Sequence, residues 1–123
     1  MIIGLNPSAT EDNATISRCI NFARTWGYGG VHVLNLFAYR ATQPSEMMRA
    51  QEPVGPDNDK WLRKVGKKAG IIVAAWGNDG AFKGRSQVVR TLFPSIHCIK
   101  MNKSGEPAHP LYLKANLKPV PLV

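Results

Sequence analysis

Apolar positions along the chain alternate between a strand-like and a helix-like period. Met1-Ile2-Ile3-Gly4-Leu5 is a short apolar run stopped by Asn6-Pro7, which predicts a strand entering a tight turn. From Thr15 the apolar positions Ile16, Cys19, Ile20, Ala23 and Trp26 recur at helical spacing. Asp12, Asn13 and Thr15 are candidate caps for that helix, and Gly27-Tyr28-Gly29-Gly30 stops it. Residues 31–37 read as a β-branched strand running into a loop. Residues 40–58 are less regular, because Pro44, Pro53, Gly55 and Pro56 break any long element. A helix is expected over about 57–69, with Trp61, Leu62 and Val65 on one face and Gly70 ending it. Ile71-Ile72-Val73-Ala74-Ala75-Trp76 is wholly apolar, the pattern of a strand covered on both faces. After Gly77-Asn78-Asp79-Gly80 a further helix carries Ala81, Val88, Val89 and Leu92, Pro94 closes it, and residues 96–100 form a fourth strand.

This alternation, without internal repeats, predicts an α/β domain with a mainly parallel sheet between helices, spanning residues 1–123 as one unit. In such folds the functional polar residues gather where strands end and loops begin. Asn6, Asn35 and Asn78 fall at those points.

Composition bounds the chemistry. With 44% hydrophobic residues in 123, the chain can bury a core, so a disordered reading is excluded. No run approaches roughly 18 uninterrupted apolar residues, so no membrane partner is expected. The opening residues lack the basic start and long apolar run of a secretory signal. The two cysteines, Cys19 and Cys98, make neither a disulfide framework nor a zinc set, and read as buried reduced thiols of a cytoplasmic protein. Charge is unevenly placed. Residues 1–59 hold four arginines against six acids, a net of −2, whereas residues 60–123 hold twelve basic residues against Asp79 and Glu106, a net of +10. A one-sided basic surface favours a polyanion, most often nucleic acid, although Lys64, Lys67 and Lys68 also fit a solvated helix face.

Several familiar sites are absent. Gly77-Asn78-Asp79-Gly80-Ala81-Phe82-Lys83-Gly84 has neither the spacing nor the hydroxyl of a phosphate-cradling loop. No G-x-G-x-x-G opens a helix, and no G-x-S-x-G elbow surrounds Ser104. His32 and His97 lie in separate strands and read as structural, so neither a metal nor another cofactor is expected. What remains is a distributed set: Asn6, Asn35, Trp76-Gly77-Asn78 and His109-Pro110. A carboxamide offers one acceptor and one donor group, which can hold a water or read a base edge. A histidine can donate to an anionic leaving group. Each also has an ordinary structural use, Asn6 as a turn residue, Asn35 as a loop-backbone partner and His109 as a packed loop histidine.

Gly4-Leu5-Asn6-Pro7, Val33-Leu34-Asn35, Ile72 to Gly77 followed by Ala81-Phe82-Lys83, and His109-Pro110-Leu111-Tyr112-Leu113 stand in one order. That order resembles the uracil-DNA glycosylase-like superfamily. Leu5–Ser8, Arg18–Gly29, Asn35–Ala38, Pro53–Asp59 and Gly105–Tyr112 are also similar to the shared segments of a small uncharacterised bacterial and phage family. The resemblance implies a three-layer α/β/α sandwich with a four-stranded parallel sheet in the order 2-1-3-4. It implies base excision, in which a base is flipped into a pocket and its glycosidic bond broken. Asn6 would position the attacking water and His109 would stabilise the departing base as the two catalytic residues. Asn35 would read the base edge, with Phe37, Asn78 and Tyr112 as further base contacts; Phe22, Phe37 and Tyr112 are the candidates for the stacking aromatic. Ser8, Lys83, Arg85, Lys103 and Lys114 would meet the nucleic-acid backbone. Where the uracil enzymes carry an aspartate this chain has Asn6, which orients water but cannot accept its proton.

Three functions are compatible with these residues: a glycosylase-like hydrolase acting on DNA, RNA or a free nucleoside; a non-catalytic module binding nucleic acid or nucleotide through the same pocket; and a phage–host interaction protein whose partner is another protein.

Overall fold

The computed structural model describes residues 1–8 and 13–122. Strand β1 (Ile2–Gly4) is central, and its pleat sends Ile2 and Ile3 into two different apolar clusters. Strands β2 (Val33–Asn35), β3 (Val73–Ala74) and β4 (His97–Cys98) run parallel to it, whereas β5 (Val120–Pro121) lies antiparallel to β4. The sheet order is β2-β1-β3-β4-β5.

This five-stranded mixed sheet corrects the expectation of a four-stranded, wholly parallel one. Pro119 and Pro121 remove main-chain donors and make the tail read as coil. An outermost strand needs only one row of bonding groups, which is where proline is tolerated. Leu122 supplies the adjoining amide, donating to the Ile96 carbonyl at 3.0 Å.

Among the described residues four α-helices complete the fold: α1 (Asn13–Thr25), α2 (Pro44–Met48), α3 (Asn58–Gly66) and α4 (Arg85–Leu92). The step from β1 to β2 runs one way across the sheet, and the steps from β2 to β3 and from β3 to β4 run the other way. Right-handed crossovers therefore place α1 on one face and α2, α3 and α4 on the opposite face. The two apolar clusters follow this division. Cys19 and Phe22 of α1 pack on Ile2, Val73 and Ala75, while Met47, Leu62 and Val89 pack with Ile3, Ala74 and Trp76. Gly27, with φ 87°, ends the turn after α1 in a conformation that favours glycine. The candidate cap Asp12 lies outside the described residues.

Two further expectations change. The helix expected after residue 77 is broken in two: a 3-10 segment, Asn78–Gly84, kinks at Phe82 and at Lys83, whose φ is 53°, before α4 begins. Trp61 does not share the buried stripe of Leu62. It is 51% exposed, with the Lys64 ammonium 4.9 Å from its ring centre, because adjacent helical residues point about 100° apart. Among the described residues no helix is long and apolar enough to cross a membrane.

Candidate functional site

A cleft of about 570 Å³ opens at the carboxyl ends of β1, β2 and β3. The chain leaves β1 for a neighbour on one side and later places β3 on the other, so successive connections diverge there and the crevice between them stays open. Asn6, Asn35, Asn78 and His109 all line it, together with Ser8 and, from α1, Thr15 and Ile16.

The β2 side is built by interlocking backbone and side chains. Gly4 and Asn35 are register partners, and a Cβ on Gly4 would lie 3.0 Å from Asn35 Oδ1. Glycine at this position therefore lets the Asn35 carboxamide lean over the central strand. The Asn35 and Leu36 carbonyls accept from Asn58 Nδ2 at 2.9 and 2.8 Å. Arg85 Nε also donates to the Leu36 carbonyl, at 3.1 Å, and its Nη2 pairs with Asp59 Oδ1 at 2.8 Å. Just beyond, Ala38 and Tyr39 donate to the Val54 and Pro53 carbonyls at 3.1 and 3.0 Å. Gly55, with φ 87°, passes so close that a Cβ would be 2.9 Å from that of Ala38. Residues 53–59 are thus the support on which the end of β2 rests.

Asn6 is a staple between loops. Its Nδ2 donates to the carbonyls of Ala41, Pro7 and Tyr39 at 3.0, 3.2 and 3.3 Å. That engages the donor half of the carboxamide and leaves Oδ1, an acceptor, as the atom that could meet a ligand. Between the two distal carbonyls lies Arg40, an exposed residue that also lines the cleft, whose Nη1 donates to the Ser8 carbonyl at 2.8 Å.

The β3 side is held from behind by a buried carboxylate. Glu106 Oε1 accepts from Trp76 Nε1 at 3.0 Å, Ser86 Oγ at 2.6 Å and Arg90 Nη2 at 3.4 Å. Gly80 lies against the indole, and a Cβ there would be 2.0 Å from Trp76 Cδ1. Gly77, with φ 78°, turns the chain out of β3 beside His109. Asn78 Oδ1 accepts from Ser104 Oγ at 2.6 Å and Asn102 Nδ2 at 3.0 Å, so its Nδ2 remains the donor toward the cleft. His109 starts the 3-10 turn Pro110–Tyr112, and its Nδ1 accepts from the Leu111 amide at 3.2 Å. In the neutral ring the proton is then on Nε2, which makes that nitrogen a donor.

Not every expected site residue reaches the cleft. Phe37 is fully buried on the α2–α4 side, its ring centre 5.7 Å from that of Phe82, and so cannot stack on a ligand. The amides of Leu36 and Phe37 donate to the Gly4 and Leu5 carbonyls, which turns the ring inward. Arg85 is 5% exposed and committed to Asp59 and Leu36, so it is no backbone contact. Phe22 is buried beneath α1 and Tyr112 is 91% exposed, outside the cleft lining. Lys83, Lys103 and Lys114 are exposed but do not line it. Lys103 comes nearest by position, lying between the two residues that bond Asn78. Trp76 is the large aromatic among the described lining residues, and the other apolar contributions to the walls are aliphatic or proline, including Pro7, Ile16 and Pro110.

Sequence reasoning missed Arg40 and Asp79, the charged side chains among the described lining residues. Asp79 adjoins the candidate Asn78 but entered only the charge balance, and Arg40 stands in no motif. Both cysteines are buried and neither is in a disulfide. Burial pushes the Cys98 thiol above its ordinary value, with the nearby Arg90 charge acting in the opposite direction.

Over residues 1–111 the chain matches DUF1643, a protein family of unknown function. No curated protein and no solved structure matches it.

Proposed function

The chain belongs to the DUF1643 family, and from that premise we propose that its cleft binds a nucleobase and hydrolyses the N-glycosidic bond that carries it, with DNA as the principal substrate. The observation that carries this reading is the meeting of Asn6, Asn35, Asn78 and His109 around one cleft at three adjacent strand ends. The motif order supports extending the reading to a uracil-DNA glycosylase-like fold.

The hydrogen-bond partners already engaged give each group a direction. Asn78 offers a donor and Asn6 an acceptor, while Asn35, over the middle strand, offers both. In hydrolysis the C1′–N bond breaks with its electron pair leaving on the base. Water oxygen bonds to C1′, and one water proton replaces the sugar on the base. Donors at His109 Nε2 and Asn78 Nδ2 would favour charge developing on the departing base more than they favour the neutral substrate. Asn6 Oδ1 would orient the water by accepting from it. The Asp79 carboxylate, which lines the cleft, would take up a proton from that water. Lys103, Lys83 and Lys114 would meet phosphates outside the cleft.

A second reading, a binding module without catalysis, is favoured by one observation: the Asn6 carboxamide already holds three main-chain carbonyls. The test is incubation with duplexes and single strands carrying uracil, mismatched thymine or modified bases, followed by detection of abasic sites. Cleavage abolished by Asn35→Ala and by His109→Ala, with both variants folded, is the expected result. Binding without abasic sites on any substrate would leave the binding module, and full activity in either variant would remove that residue from the mechanism.

A further inference from the structure

We propose that Arg40 is a phosphate anchor, so that the cleft takes its base as a phosphorylated nucleoside rather than as a free base or nucleoside. This inference rests on the nucleobase reading of the cleft. Its first support is how the cations are distributed. The ion pairs among the described residues are Arg85–Asp59 and Arg90–Glu106, and in both the arginine is largely withdrawn from solvent. Arg40 lines the cleft, is exposed, and bonds the neutral carbonyl of Ser8. A guanidinium held by a carbonyl keeps its charge and several of its donors available for an anion.

The second support is preorganisation. Asn6 Nδ2 donates to the carbonyls of Tyr39 and Ala41, the residues on either side of Arg40. The Ala41 amide donates to the Pro7 carbonyl at 3.0 Å, and Arg40 Nη1 reaches the next carbonyl, that of Ser8, at 2.8 Å. Main chain and guanidinium are therefore both fixed before any ligand arrives, which lowers the ordering cost of binding. The Asn6-Pro7-Ser8 turn acquires a role in this arrangement: it holds a cation at the mouth of the cleft.

The third support is polarity along the cleft. Arg40 lines the cleft from the loop after β2, held against the loop after β1, and Asp79 lines it from the loop after β3. An anionic group is drawn toward Arg40 and repelled by Asp79, which leaves the base for the carboxamides and His109. A planar guanidinium fork suits a phosphate oxygen pair.

The experiment measures binding of deoxynucleosides, their 5′-monophosphates and short single-stranded oligonucleotides to the wild type, Arg40→Gln and Arg40→Lys. The wild type is expected to prefer the phosphorylated ligand over the nucleoside by about tenfold, the scale of one charge-assisted contact. R40Q should lose that preference with nucleoside affinity unchanged, R40K should keep part of it, and inorganic phosphate should compete with the nucleotide but not with the nucleoside. A preference confined to monophosphates identifies a free nucleotide as the source of the phosphate; one confined to oligonucleotides identifies a strand. Equal binding of nucleoside and nucleotide by the wild type, or a preference that survives in R40Q, overturns the anchor while the nucleobase reading stands. Absence of binding by every ligand overturns the nucleobase reading and the anchor together.

Discussion

Arg85 and Arg40 each donate to a main-chain carbonyl at the open end of the sheet, yet they belong to different regimes. Arg85 is 5% exposed, faces Asp59 at 2.8 Å, and shares the Leu36 carbonyl with Asn58. Arg40 is exposed, lines the cleft and holds the Ser8 carbonyl. A buried charge needs a partner to persist, so Arg85 fixes the strand end that carries Asn35. An exposed charge beside a neutral partner remains available to a ligand. Counting both as basic surface merges a scaffold with a site. The lesson extends to Arg90, which supports the β3 side through Glu106.

The sharpest way to break this comparison is to remove each arginine in turn. Arg85→Ala leaves Asp59 without its partner and deprives the Leu36 carbonyl of one donor. A loss of about 3 kcal/mol is expected, near the lower end for a broken buried pair because Asp59 keeps some solvent contact. Arg40→Ala should change stability by no more than about 0.5 kcal/mol, as surface positions do. Urea unfolding midpoints at unchanged slope read both values. Equal losses for the two variants would erase the distinction.

A smaller effect tests whether the β3 side is as tightly built as the β2 side. Gly80→Ala would place a methyl 2.0 Å from Trp76 Cδ1, and the indole is itself 1% exposed and bonded to Glu106. Either the Asn78–Gly84 segment or the indole must shift, at about 2 kcal/mol, the cost of overpacking a core. Thermal unfolding gives the loss, and near-ultraviolet circular dichroism gives the indole's change of surroundings. An unperturbed Trp76 signal would mean that the β3 side yields easily.

These contrasts also explain what the chain discloses before it folds. The uninterrupted apolar runs at residues 1–5 and 71–76 are local signals, so β1, β3 and the two covered faces were legible, whereas β5 was not. The strand-end asparagines were legible for the same reason. Partnerships at long range were not: Asp59 precedes Arg85 by 26 residues, and Glu106 follows Trp76 by 30. Neither separation has a pattern that sequence exposes. Phe37 reads as a loop aromatic until its backbone amide is seen donating to Leu5, which turns the ring inward. Arg40 went unnoticed because what marks it is the pair of carbonyls on its flanks, and those are invisible without the Asn6 side chain.

The smallest effect concerns the scaffold arginine Arg90 and separates it from the cleft-lining Arg40. Cys98 is buried in β4, and desolvation raises its thiol above the ordinary value of 9.0 while the Arg90 charge pulls it down. Below that value the thiol is neutral in both folded and unfolded chains, and its contribution to stability is fully present. As pH rises past it, the unfolded thiol loses its proton first, so the native state binds more protons and stability falls until the folded value is passed. Cys98→Ala should remove this part of the alkaline decline. Arg90→Gln, by deleting the opposing cation, should raise the folded value further and extend the decline to higher pH, whereas Arg40→Gln should leave it unchanged. Unfolding midpoints collected from about pH 8 to about pH 10.5, a range spanning thiol ionisation, distinguish these outcomes. If Arg90→Gln and Arg40→Gln shift the decline alike, Arg90 is no more coupled to the core than Arg40 is, and the division between scaffold and site fails at its weakest point.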